Sequence, residues 1–326
     1  MGAHACGGEE NALIHWWNRW VDLVARREPG HAAAAVRITT GLTVFAHLWR
    51  QWDTETWRWV WLPPEAGGLV GVSHGVLDRF GGARSDNVGS LLVIGMCSSL
   101  ALAVGVATPV AAAVSALAWG VLSNLGVNAG GSYDFLGDNL LFLLIFAGAG
   151  QVASVDAWVG RRLGRAPAAV WCWPRWLMVW QLVVMYDTTV WQKLSSGWVP
   201  GGSLDALWYI LQQPTWHRTD MRWLAPYYPL TQLATLGTWC FEQASPLILL
   251  AAWYRHTRSR SGWVRAQFNR IDVRFWMLCL GVALHLGIEA TMEVGAFTPL
   301  TLALYLACFS GDEVRRLFSQ EGAAAR

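Results

Sequence analysis

Lys193 is the single lysine among 24 basic residues; every other one is arginine. Arginine keeps its proton in a protein, whereas an amine withdrawn from water can lose it near neutral pH. A lone amine at the lip of an apolar stretch therefore offers a general base. The other reading is a side chain that snorkels to a membrane interface. Tyr186 lies two helical turns before Lys193 and shares its face. His285, Glu289 and Glu293 recur at every fourth residue and form one polar stripe. Three readings stay open for that stripe: a metal site, a proton relay or polar cavity inside a helix bundle, and interhelical hydrogen bonds that only hold helices together. Asp134 and Asp138 stand four apart at the mouth of another apolar run, either as site carboxylates or as a helix cap. Glu242 sits alone inside an apolar run; it pairs with Arg37 or Lys193, or stays protonated. Trp198 and Pro200-Gly201-Gly202 end the Lys193 stretch. They turn the chain back, or let the backbone approach a ligand beside Lys193. His47 reads as a structural hydrogen-bonder.

The elements that must position these residues are helices in a bilayer. Hydrophobic residues make up 54% of the chain and charged residues only 14%, against about 25% in soluble domains. The 23 tryptophans suit interfacial belts. The arginines are spread over loops, so no nucleic-acid stripe exists. Cys6, Cys97, Cys172, Cys240, Cys279 and Cys308 are scattered singly, without the spacing of a zinc site or a disulfide framework, and no metal is expected. No apolar segment followed by a small-residue cleavage site occurs in the first 30 residues, so the first span is expected to act as an uncleaved insertion signal. The Ala-, Arg- and Trp-rich usage points to a GC-rich bacterial source.

The fold expected is an all-α, polytopic membrane helix bundle of about eight spans. Residues 1–32 form a cytoplasmic segment, and residues 11 to 28 within it an amphipathic helix with Ile14, Trp17, Val21 and Val24 on one face. Residues 33–310 form the transmembrane domain. The spans run over about 33 to 50, 88 to 107, 110 to 127, 134 to 153, 176 to 192, 230 to 254, 275 to 292 and 297 to 309. Glu242 and Pro246 fall inside the sixth of these. Ser154-Val155-Asp156 caps a short interfacial helix. Long loops fill 51–86 and 194–228, and residues 311–326 form a charged cytoplasmic tail. The arginines at 19 to 27, 161 to 175, 255 to 274 and 315 to 326 put both termini in the cytoplasm of a cell carrying this protein in its inner membrane. Lys193 then faces outward.

Three stretches, in order, resemble a known family. They are YDTTVWQKLSSGWVPGGSL from Tyr186 to Leu204, the segment from Tyr133 to Asp156 containing FLGDNLLFLLIFAGAGQVASVD, and LHLGIEATMEVGAF from Leu284 to Phe297. Together they resemble the HTTM (horizontally transferred transmembrane) family, the membrane portion shared with vitamin K-dependent γ-glutamyl carboxylase. The likeness covers about residues 34 to 310. It implies that Lys193 is the base that deprotonates a reduced quinone of the vitamin K hydroquinone type. In the carboxylase the hydroquinone then reacts with oxygen, and the strong base formed removes a proton from a glutamate γ-carbon, which adds CO2. The resemblance makes Lys193, His285 and Tyr133 the catalytic candidates. Tyr133 falls where the carboxylase has a histidine, so that role is missing or reassigned, with Asp134 and Asp138 beside it. Tyr186, Trp198, Gly201, Asp134, Asp138, Glu242 and Glu289 are the candidate quinone- or substrate-binding residues. The partners implied are the lipid bilayer, a quinone, and a secreted peptide or glutamate-containing substrate. The likeness does not extend to the carboxylase's soluble domain, which leaves propeptide docking and protein carboxylation without a counterpart in residues 1–326. A small branch of the same family helps mature a secreted sporulation-delaying toxin. Its length matches this chain, and it supplies the alternative of a non-catalytic accessory protein.

Overall fold

The computed structural model describes residues 14–15, 17–18, 21–22, 25–71, 76–126 and 130–318. It is mostly helical. In the amphipathic segment, Ile14, Trp17 and Val21 are helical and exposed; Arg19 and Val24 lie outside the described residues. The helix does not run to residue 28 as expected. Arg27–Glu28 form strand β1, antiparallel to β2 (Val170–Trp171). Pro29 explains the change, because the residue before a proline is pushed out of helical geometry.

One half of the bundle is a run of neighbours: α1 (His31–Asp53), then, after the short α2 (Thr56–Trp61), α3 (Ser85–Val104), α4 (Thr108–Leu125) and α5 (Ser132–Phe146). Consecutive long helices pack on one another, and Gly105 and Gly126 close α3 and α4. Small residues let the backbones approach: a Cβ at Gly41 of α1 would come within 2.7 Å of the Ala103 backbone of α3. The short α6 (Val155–Arg162) is capped as its sequence predicts, with the Ser154 hydroxyl accepting from Ala157 N at 2.9 Å. Asp156 reaches further. It accepts from Ala107 N, Thr108 N and Thr108 Oγ1 at 2.7–2.8 Å, and so caps α4. Burial of its carboxyl is outweighed by these bonds, which hold it below the usual carboxylate range.

The other half contains α7 (Trp173–Gln192), α8 (Ala206–Gln212), α9 (Tyr228–Gln243), α10 (Pro246–His256), α11 (Trp263–Ile271), α12 (Val273–Thr291), α13 (Phe297–Ala307) and α14 (Gly311–Phe318). Helix α13 is the centre, packed against α1, α5, α7 and α12. Its Leu300, Ala303, Leu304 and Ala307 are wholly buried. Three described helices, α3, α4 and α12, are long and apolar enough to cross a membrane, and α13 is apolar but shorter. The stretch from Leu230 to Tyr254 is not one helix. It breaks at Ala244-Ser245, with Pro246 opening α10. Proline lacks the N–H that would continue the ladder, and its ring clashes with the carbonyl four residues back, here that of Glu242. Glu242 therefore sits at the end of α9, not mid-span. The segment expected as a loop over 194–228 carries α8 and a small core of Leu211, Met221 and Leu224, against which Met292 packs.

Candidate functional site

Lys193 is the C-cap of α7, where the helix has stopped and the side chain is free to turn inward. Glu242, brought to the end of α9 by the Pro246 break, receives it. Lys193 Nζ donates to Glu242 Oε1 at 2.5 Å and Oε2 at 2.7 Å. Their side chains are 18% and 7% exposed. Of the partners left open for Glu242, Lys193 is the one found; Arg37 instead donates to the carbonyls of Ala149 and Ala153. The indole of Trp198 lies 4.7 Å from Nζ to the ring centroid, a cation–π contact.

Two turns before Lys193, the Tyr186 hydroxyl bonds to His285 Nε2 at 2.5 Å and to the Tyr305 hydroxyl at 2.5 Å. All three side chains are buried. Helices α7, α12 and α13 thus meet through one imidazole and two phenols. Phe241 stands edge-on to Tyr186, 5.2 Å between centroids, and Phe297 is 5.3 Å from the His285 ring. Nδ1 of His285 is buried without a hydrogen-bond partner.

All of these residues except Tyr305 line a cavity of about 1310 Å³. His47 of α1 and Tyr133 also line it, their rings 5.2 Å apart, with Trp119 behind them 5.3 Å from His47. Charges stand at one edge. Arg50 donates to Glu293 at 2.8 Å, and Arg218 joins Glu289 at 2.5 Å and Glu293 at 3.3 Å. A backbone bridge from His217 to Met292 fastens the same segments. Burial acts to raise the Glu293 carboxyl, but the Arg50 hydrogen bond and the charges of Arg50 and Arg218 hold it below its usual range.

Lys193, Tyr186, Trp198, Glu242, His285 and Tyr133 all line the cavity, while Glu289, Gly201, Asp134 and Asp138 are not on its wall. Asp134 accepts from Gly131 N at 2.8 Å and caps α5, the structural reading weighed above. Asp138 lies against Gly120 of α4. Gly201 sits in an exposed turn at φ +90°. The stripe of His285, Glu289 and Glu293 is divided: α12 ends at Thr291, so Glu293 leaves the helical repeat, and the two glutamates turn to arginines while His285 turns to Tyr186. Among the described residues, no three His, Cys, Asp or Glu side chains gather as metal ligands. Sequence reasoning missed Tyr305 and Arg218. A phenol inside the apolar run FTPLTLALYLACF was a readable signal for the first; nothing local pointed to the second.

The fold and site define a helical integral membrane protein with a large, mostly apolar cavity and a buried lysine–carboxylate pair on its wall. The model of the HTTM domain matches residues 26–215, more than half of the chain, and the chain belongs to the HTTM domain family. Tyr133, Tyr186, Lys193 and Trp198 fall within the match; Glu242, His285 and Tyr305 lie beyond it. No curated protein and no solved structure matches.

Proposed function

We infer that this HTTM-domain protein is a membrane enzyme of the vitamin K-dependent carboxylase type, working on a reduced quinone with Lys193 as its base. The observation that carries this reading is the chain's only lysine held at 2.5–2.7 Å by a buried glutamate on the wall of an apolar cavity. The cavity suits a quinone. Phe241, Phe297 and Tyr133 offer flat apolar walls, and His285 brings an imidazole to the lining. When bound, a reduced quinone supplies an acidic hydroxyl and two electrons for oxygen.

The chain's own residues would hold the proton. In a low-dielectric wall the charged and neutral forms of a lysine–carboxylate pair draw closer in free energy. Lys193 Nζ would take the quinol proton, and Glu242, 2.5–2.7 Å away, would hold the ammonium formed. The Trp198 indole lies against that nitrogen, and Tyr186 with Tyr305 holds the His285 ring in one orientation. His47, whose ring is 5.2 Å from that of Tyr133, offers an imidazole where the family's histidine is replaced. The same reading takes α1, α5, α7, the α9–α10 pair and α13 as further crossings, about eight in all, with both termini on the arginine-rich cytoplasmic side.

The test is quinone epoxide formation by purified protein given a reduced naphthoquinone under oxygen. Epoxide from wild type, and none from Lys193→Ala or Lys193→Arg, is expected. No epoxide from folded wild type with several quinones defeats the enzymatic reading and leaves the accessory one, in which Lys193 is a ligand-binding charge.

A further inference from the structure

The cavity continues from Lys193 to the side of the bundle. On α9 and α12, six of its lining residues are also exposed: Ala234, Gly237 and Cys240 of α9, and Leu280, Ala283 and Gly287 of α12. None of them carries a charge, and Leu280 is 58% exposed. Helix α12 is apolar and long enough to cross a membrane. Positions 280 to 287 lie well inside it, so this opening faces hydrocarbon.

Small residues on facing helices usually let two backbones close on each other. That happens at Gly281 of α12, where an added Cβ would run into Tyr305 and Phe241. At Gly237 and Gly287 an added Cβ would meet nothing within 4 Å. These two glycines leave a gap instead of closing one. The volume fits the same picture: about 1310 Å³ exceeds the roughly 300–1,000 Å³ of an ordinary small-molecule site, so a ring at the polar end would leave space unfilled. The inner end of that space holds the Lys193–Glu242 pair and His285, a residue only 1% exposed.

We propose that the gap between α9 and α12 is a lateral portal and binding subsite for the apolar chain of a lipid-soluble ligand, of prenyl or long acyl type, whose polar head reaches Lys193. The gap is uncharged along its rim and continuous with the cavity, which suits a chain lying half in the bilayer. A helix from a second copy would cover the outer rim and leave the inner space empty. The subsite rests on the ligand-binding reading of the Lys193 cavity and not on turnover.

Two binding probes test it in lipid nanodiscs: 2-methyl-1,4-naphthoquinone, and the same ring carrying a long prenyl chain. Leucine at Gly237 or Gly287 fills the gap. Gly237→Leu and Gly287→Leu should weaken the tailed probe about tenfold or more, while the tailless probe changes less than about threefold. Equal loss for both probes, or for neither, overturns the proposal. A long-chain fatty acid with a diazirine on the carbons next to its carboxyl head provides a readout that needs no quinone. It should label the inward-facing Phe241 and Met277 in wild type, and lose that labelling in Gly237→Leu. Labelling confined to outward residues such as Leu286 overturns the portal. If neither quinone binds, the quinone reading fails while the photolabel still decides the subsite.

Discussion

Two ends of the bundle bury ion pairs, and they differ in what surrounds them. At one end Arg175 donates to Glu28 at 2.6 and 3.1 Å and to the Ala307 carbonyl at 3.1 Å, with side chains 6% and 10% exposed. Beside it Arg274 donates to Glu313 at 2.8 and 2.9 Å and to the Cys308 carbonyl at 3.0 Å. These pairs clamp the strand, α7, α12 and α14 onto the end of α13. At the other end the Lys193–Glu242 pair has equally short contacts, but it borders the cavity instead of packed backbone. A guanidinium with five donors in a fixed fork serves a clamp, because it satisfies a carboxylate and a carbonyl together. An amine serves where a proton must leave. Burial and pairing are common to both ends; the cation's chemistry and the open space beside it are what differ.

Substituting each cation breaks the comparison most strongly. Lys193→Arg keeps the charge and the pair with Glu242, yet should lower quinol-dependent turnover about 10²–10⁴-fold, the usual size of a lost general base. Its melting temperature in detergent should stay near that of wild type. Arg175→Leu should do the opposite. It strands Glu28 without its charge partner, at a cost of about 3–5 kcal/mol, read as a large drop in melting temperature. Equal loss of stability in the two variants would erase the distinction between clamp and site.

Acid sharpens it. Burial of Glu313 is outweighed by the Arg274 hydrogen bond, the Ser310 backbone and the Arg255 bond, which hold its carboxyl at about 2, against 4.5 when free. A carboxyl depressed on folding stabilises the protein fully above its free value and stops doing so as pH falls through its folded value. Melting temperature measured from pH 6 downward should therefore fall across the window from about 4.5 to about 2, and Glu313→Gln should flatten that part of the curve. An unchanged slope in the variant would remove Glu313 from the clamp.

Smaller effects belong to the cavity end. Tyr305→Phe removes one of the two hydrogen bonds of Tyr186 and should cost about 0.5–1.5 kcal/mol in detergent melts. It should also reduce turnover less than Lys193→Arg does, because Tyr305 acts only through Tyr186. Glu289→Gln breaks a partly exposed pair with Arg218 and should move stability by less than about 1 kcal/mol. A larger shift would mean that the Arg218 network holds the bundle together and does not merely tie the 205–227 segment to α12.

The residues themselves determined a good deal. Composition set the helical membrane class, since 14% charge cannot keep this chain in water. The seven-residue spacing put Tyr186 in the last turns of α7 and Lys193 at its C-cap, where both line the cavity, and the Ser154 cap formed as its local chemistry requires. Each of these is a short-range matter, fixed by helical periodicity or by one turn of backbone. The site's partners are not. Glu242, His285 and Tyr305 stand 49 to 119 residues from the groups they bond. Which of Arg37 or Lys193 took Glu242 depended on where Pro246 broke the helix and how α9 then leaned on α7. The even spacing of His285, Glu289 and Glu293 suggested a single stripe, but only packing decides which neighbour each side chain meets. The open glycines at Gly237 and Gly287 look in sequence like any close-packing pair; whether a glycine closes a gap or holds one open is a property of the facing helix, so tertiary structure alone decided it.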